Sequence, residues 1–276
     1  MSDLSLDHQK SISQACHILQ HPISEYNFTN LYLFRKKHSY SVEIFAKDQL
    51  VILGTSYTGE RFLMPLFHPT DWPALLTSFP KAQYIYPIPE EKWPEIQSQG
   101  LHITVSETQS DYLFETQHIQ TLKGRHMAKH RNIIRQLHDN YTISVKKFSQ
   151  DLQNDVFHIA DIWAEEKNGQ TDIEPFKEGV KLAAQLNLEG WVFYASTNPV
   201  GTLFGQSMTD TIYLVHFSKE LPEYRGLSQY MHQSAAQQTT LPFLNWEQDL
   251  GIEGLRQFKH SFQPIQMVQK GEVRFR

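Results

Sequence analysis

The stretch from Asn245 to Gln263, NWEQDLGIEGLRQFKHSFQ, leaves this chain few ways to fold. Phe243 and Leu244 just before it read as the end of a buried strand, and Gly251 permits a turn. Beyond that turn, Ile252, Leu255, Phe258 and Phe262 fall on one arc at 100° per residue, which predicts a short helix with that arc facing a core. Lys259 lies inside the same arc and Arg256 on its edge. A lysine placed so has two readings: its stem is buried with its head in water, or its head reaches a cavity that holds an anion. The carboxylates Glu247 and Asp249, at the strand end, favour the cavity; Asp249 also reads as a cap of the helix.

The run EQDLGIEGLR, followed by Lys259, Ser261 and Pro264, resembles the closing motif of the phosphatidylglycerol lysyltransferase C-terminal domain family. Two further segments carry the resemblance. LKGRHMAKHRNIIRQLHDNY, from Leu122 to Tyr141, is similar to the family's L-x-G-K…K-x-R-N helix through Leu122, Lys123, Gly124, Lys129, Arg131 and Asn132, with Arg125 where lysine is usual. Arg225, Gly226 and Gln229 match its Y-K/R-G-x-x-Q segment. The resemblance implies a tandem GNAT fold related to FemX-type aminoacyltransferases. The expected class is therefore α/β (α+β), with an N-terminal GNAT-like domain over 1–115 and a C-terminal one over 116–276. Each would be a mixed, mostly antiparallel sheet flanked by helices. Two departures stand out. The chain reads His216-Phe217-Ser218-Lys219 where the family tends to His-x-Glu-Lys, so an acid that could orient an attacking group is missing. Trp246 replaces a usual arginine, which removes a bidentate anion clamp and adds an aromatic surface.

The element order agrees with that fold. Helices over 8–20 and 25–35 precede strands over 40–46, 50–55 and 61–67, then a short helix capped by Thr70, a strand over 83–88, a helix over 90–97 and a strand over 101–105. The second half repeats the plan: a strand at 111–114, the basic helix, an edge strand at 141–148, helices over 151–166 and 174–187, a three-strand meander to Phe217, and a helix from about Leu227 to Gln238. A length of 276 residues suits two domains.

A net charge of −5 argues against a general nucleic-acid coat and against DNA as partner, while leaving room for a local basic site. A single cysteine, Cys16, excludes an internal disulfide and is expected to pack as a small hydrophobe in a cytoplasmic protein. MSDLSLDHQK has no apolar core of a signal peptide, and no run approaches the ~20 apolar residues of a membrane span. The family's lipid-modifying members carry a multi-span membrane half; this chain corresponds to the other half. Fourteen histidines include the pair His126 and His130 at i, i+4, but no third ligand follows, and no metal is expected.

Five Lys/Arg residues and no acid lie between Lys123 and Arg135, which reads either as a solvated basic helix or as a contact for phosphate. In GNAT enzymes the segment matching Arg225–Gly226 presents helix N-terminal N–H groups to a pyrophosphate; with one glycine the acetyl-CoA form of that loop is poorly formed here. The candidate catalytic residues are Glu247, Asp249 and His216. Lys123, Arg131, Asn132, Lys219, Arg225, Gly226, Arg256 and Lys259 are the candidate phosphate-binding residues. Together the sequence describes an acyl or aminoacyl transferase, with aminoacyl-tRNA or acyl-CoA as donor and a lipid, peptide or small molecule as acceptor. Two alternatives stay open: an acyl-CoA N-acetyltransferase, and a binding module that kept the fold without the chemistry.

Overall fold

The computed structural model describes residues 2–47, 49–167 and 171–274. In chain order the first half supplies β1 (Ser2–Asp3), α1 (Gln9–Leu19), α2 (Phe28–His38), β2 (Ser41–Ala46), β3 (Gln49–Thr55), β4 (Arg61–Pro65), α3 (Trp72–Ser78), β5 (Tyr84–Pro89), α4 (Trp93–Ser98) and β6 (Ile103–Val105). The second half follows with β7 (Asp111–Glu115), α5 (Thr116–Thr121), α6 (Ala128–Asn140), β8 (Ile143–Lys147), α7 (Gln153–Glu166), α8 (Ile173–Lys181), β9 (Glu189–Ala195), β10 (Asn198–Ser207), β11 (Ile212–Glu220), α9 (Leu227–Gln238), β12 (Phe243–Asn245), α10 (Glu253–Ser261), β13 (Gln266–Val268) and β14 (Lys270–Arg274).

Two seven-stranded sheets result, in the orders β1-β2-β3-β4-β5-β14-β6 and β13-β7-β12-β11-β10-β9-β8. β4 pairs with β5 and β11 with β12 in parallel, while the other neighbours from β1 to β6 in the first sheet and from β7 to β8 in the second run antiparallel. Packing divides the chain into two units. One is Met1–Tyr112 with Gln248–Arg256 and Met267–Arg276; the other is Leu113–Glu247 with Gln257–Gln266.

The first unit buries Leu63, Trp72, Leu75, Ile85, Ile96 and Val273 in one core. Its helix starts follow from capping. Asn27 accepts the Asn30 N–H at 3.1 Å, so α2 begins three residues later than the sequence pattern suggests. Asp71, not Thr70, caps α3, accepting the Ala74 N–H at 2.8 Å. The C-terminal β14 enters this sheet between β5 and β6. It carries in Lys270, fully buried, whose ammonium lies 2.6 Å from Glu25 and 2.7 Å from Asp111. Ser24 and Gln248 complete that cluster, at 3.3 and 3.1 Å from the lysine Nζ, and the Tyr86 hydroxyl donates to Glu25 at 3.0 Å.

In the second unit α7 lies against β10 and β11. There Lys219 reaches the facing Asp172, with both carboxylate oxygens within 2.8 Å, and rests 3.9 Å over the Trp163 ring. On the other side, glycine at 201 lets α9 sit directly on β10, because a Cβ there would meet the Met231 sulfur at 2.6 Å. The basic segment is shorter as a helix than its sequence suggests. Residues 116–121 form the separate helix α5, Leu122 turns left-handed, and α6 starts only at Ala128.

Candidate functional site

β11 and β12 pair over three residues only, Ile212–Leu214 with Phe243–Asn245, and then part. His216 stands on β11 just past that point. It is also the extra residue of a β-bulge, since β10 pairs Phe204 with Phe217 and Gly205 with Val215, leaving His216 without a cross-strand partner. Bulges of this kind re-aim a side chain. Glu247 follows β12 on the other arm. The Asn245 side chain accepts the Glu247 N–H at 2.6 Å, which turns Glu247 into the left-handed region at φ 56°. The two arms meet: His216 Nδ1 lies 3.1 Å from Glu247 Oε1, with the imidazole 2% and the carboxylate 19% exposed.

An ionised carboxylate only accepts, so this geometry places the proton on Nδ1 and leaves Nε2 with a bare lone pair. His216 Nε2 is buried and has no hydrogen-bond partner. A buried acceptor left open costs free energy unless something comes to occupy it. The indole N–H of Trp246, one residue before Glu247, is likewise buried without a partner.

Lys259 serves this same segment. Its buried ammonium donates to the carbonyls of Trp246 at 2.6 Å and Glu247 at 3.2 Å. The sequence reading sent that ammonium toward an anion; the structure points it at backbone oxygens, where it holds the turn bearing Glu247. Trp246 does not provide the aromatic surface expected of it. It is 3% exposed, with its ring centroid 4.1 Å from Phe114, 4.4 Å from His232 and 5.1 Å from Phe262.

The other expected site residues separate into local groups. In the first unit Asp249 is 1% exposed and takes Arg256 through both oxygens at 3.0 and 3.1 Å, the Tyr112 hydroxyl at 2.6 Å and the Gly251 N–H at 2.7 Å. Burial alone would raise its carboxyl; Arg256, Tyr112 and the Gly251 N–H together hold it below the usual value. Asp249 and Arg256 thus shape the loop ahead of α10. Because α10 starts at Glu253, Ile252 falls in that loop and is exposed rather than core-facing. In the second unit Arg131 caps the carbonyls of Leu122 and Gly124, Asn132 accepts from Arg135 at 2.6 Å, and Lys123 and Arg225 are exposed. Lys219 is taken up by Asp172, a partner that no nearby sequence signal marks. Gly226 caps α9 at φ 98°, where a Cβ would lie 2.7 Å from the Ile133 carbonyl oxygen. Gly226→Ala is expected to cost about 1–3 kcal/mol in urea unfolding; an unchanged midpoint would show that the neighbouring turn yields freely.

A titration prediction also arises here. His232 is buried with Nδ1 bonded to the Ser228 carbonyl at 2.8 Å, and burial lowers its pKa to about 4, with Lys259 acting in the same direction. The native state then holds this ring neutral while the unfolded chain protonates it from pH 6.5 downward, so stability falls as the pH drops from 6.5 to about 4. The loss amounts to about 3 kcal/mol. His232→Gln should flatten that part of the pH–stability curve; a curve of unchanged slope would contradict the assignment.

The family model for the phosphatidylglycerol lysyltransferase C-terminal region matches residues 17–270. This chain belongs to that family. Solved structures agree on the fold. A conserved protein of unknown function from Bacteroides thetaiotaomicron superposes with TM-score 0.90 at 19% identity, over 100% of this chain and 99% of the other. FemX gives 0.63 at 9% identity over 98% and 95%. L-PGS from Bacillus licheniformis gives 0.60 at 13% identity over 87% and 89%. No curated protein sequence matches the chain. The fold of this family member is thus α/β and GNAT-like, of acyltransferase type. Among the described residues no helix is long and apolar enough to cross a membrane.

Proposed function

We propose that this protein transfers an activated acyl group, with His216 and Glu247 as its acid–base pair. The observation that carries the reading is the buried, unpartnered Nε2 of a histidine whose Nδ1 is held by a carboxylate. In that arrangement Nε2 accepts the proton of an attacking hydroxyl or amine as its lone pair adds to the donor's ester carbonyl. Glu247 keeps the ring in the required tautomer and stabilises the imidazolium that forms. The proton then passes to the leaving oxygen as the tetrahedral intermediate collapses. The indole N–H of Trp246 is a free donor for the oxyanion. Lys259 acts on the backbone that presents Glu247, and Asp249 on the following loop; neither is assigned to the proton transfer.

The donor class we favour is aminoacyl-tRNA, supported by membership of the lysyltransferase family and by fold similarity to FemX. The exposed cations Lys123, Arg125, Lys129 and Arg225 would meet its phosphates. A lipid or peptide would supply the nucleophile, and the reaction would run in the cytoplasm. The test incubates the purified protein with radiolabelled aminoacyl-tRNAs and with phosphatidylglycerol vesicles or amine-bearing peptides. Label moving to an acceptor supports the proposal. No transfer from any charged tRNA would remove it and favour a binding module.

A further inference from the structure

The last turn of α10 bears the ammonium that holds the Glu247 turn, and the helix stops just beyond it: Gln263 turns left-handed at φ 56° and Pro264 follows. The carbonyls at a helix end have no partner within the helix. Here the Ser261 carbonyl, and that of Phe262 just beyond, are taken by imidazoles from other elements. His130 Nε2, on α6, lies 2.9 Å from the Ser261 oxygen, and His118 Nε2, on α5, lies 3.1 Å from the Phe262 oxygen. A carbonyl oxygen only accepts, so both rings donate through Nε2–H. His130 is 4% exposed, and its Nδ1 is buried with no partner. Its ring also stacks on Phe262, with centroids 4.0 Å apart, and Phe262 meets the Trp246 ring edge-on at 5.1 Å.

The two imidazoles are thus linked to the proton-transfer pair through Lys259. It lies two residues before Ser261, and its ammonium fixes the carbonyls of Trp246 and Glu247. A helix end free to slide or turn would carry that ammonium with it. A shift of about 1 Å at Glu247 is enough to undo its 3.1 Å contact with His216. We propose that His118 and His130 are positioning residues of the His216–Glu247 pair, acting through the end of α10. This role rests on the transferase reading for its effect on rate, while the geometry of the pair can be observed without any transfer.

The experiment follows the proton resonance of His216 Nδ1–H, identified by its disappearance in His216→Ala, beside steady-state transfer from labelled aminoacyl-tRNA. His130→Phe keeps a ring on Phe262 and removes the donor, and His130→Gln returns an amide N–H near the place of Nε2. His130→Phe is expected to shift or broaden the resonance and to lower kcat about 10–100-fold, with KM changed less than about twofold. His130→Gln is expected to recover most of both. In a Lys259→Met background His130→Phe should cost about threefold at most, because the link it acts through is already cut. A merely structural histidine would lower the melting temperature, leave the resonance in place and add its effect to that of Lys259→Met. If His130→Phe melts early, His118→Leu, at a half-buried position, carries the same test. A wild-type resonance in a variant that melts like the wild type overturns the proposal, as does full additivity with Lys259→Met. A lost resonance with no transfer from any charged tRNA upholds the positioning and removes the catalytic reading alone.

Discussion

Replacing His216 by alanine is expected to lower the rate of acyl transfer about 10²–10⁴-fold, the range for loss of a positioned general base. Glu247→Gln should cost nearly as much, because an amide can donate to Nδ1 and then the opposite tautomer, with its proton on Nε2, is favoured. The loss should fall on kcat with little change in KM, since neither group is assigned to donor binding. The double variant should be no slower than the worse single one by more than a few-fold, because the two residues act as one device. Lys259→Met provides a contrast. It leaves both members of the pair in place but frees the Trp246 and Glu247 carbonyls, so Glu247 loses its fixed position. Single-turnover transfer with a labelled donor reads all four variants. A His216→Ala enzyme retaining a third or more of its rate would end the assignment.

Part of this arrangement was legible in the sequence and part was not, for reasons that differ by residue. Acids at a strand end followed by Gly251 and an apolar arc did announce a strand–turn–helix, and Phe262 is fully buried as the periodicity demands. His216 and Glu247 stand out by residue type, but their pairing depends on a bulge in β11 and on where β11 and β12 diverge. Neither event has a local signature, because register is a property of two strands. Lys259 lies on an inward arc and is buried, yet periodicity says only that a side chain points inward. Whether it finds an anion or two carbonyls depends on the backbone of another segment. Trp246 shows the same limit: an arginine replaced by tryptophan suggests a surface, while the ring packs on Phe114, far earlier in the chain but adjacent in the sheet through β7 and β12. The short helix α5, rich in Gln and Thr, offers almost no apolar period and so has no sequence signal.

Least legible of all was the cluster around Lys270, whose partners lie as far as 246 positions away, and there the largest stability effect is expected. Lys270→Met should destabilise the first unit by about 3–5 kcal/mol, the usual result of taking the cation from a buried ion pair. Methionine fills the space of the stem, so the cost is electrostatic: Asp111 at 0% exposure and Glu25 at 9% are left facing each other with no positive charge. Burial already raises the Glu25 carboxyl, Asp111 adds to this, and Lys270 opposes both; without the lysine the chief opposition is gone and a backbone hydrogen bond at Glu25 alone pulls the other way. The sign follows. In the variant the folded state holds a proton that the unfolded chain gives up above pH 4.5, so the deficit should be largest near neutral pH and shrink on acidification toward 4.5. Adding Glu25→Gln should restore part of the loss at neutral pH and remove its pH dependence, because the second charge is then gone. Hydrogen exchange at the β5–β14 pairs is the direct readout, since β14 joins β5 through Lys270 and the residues that follow it. Protection there that matches the wild type at pH 7 would mean the two carboxyls find relief elsewhere, and the ammonium would lose its role as the anchor of the last strand.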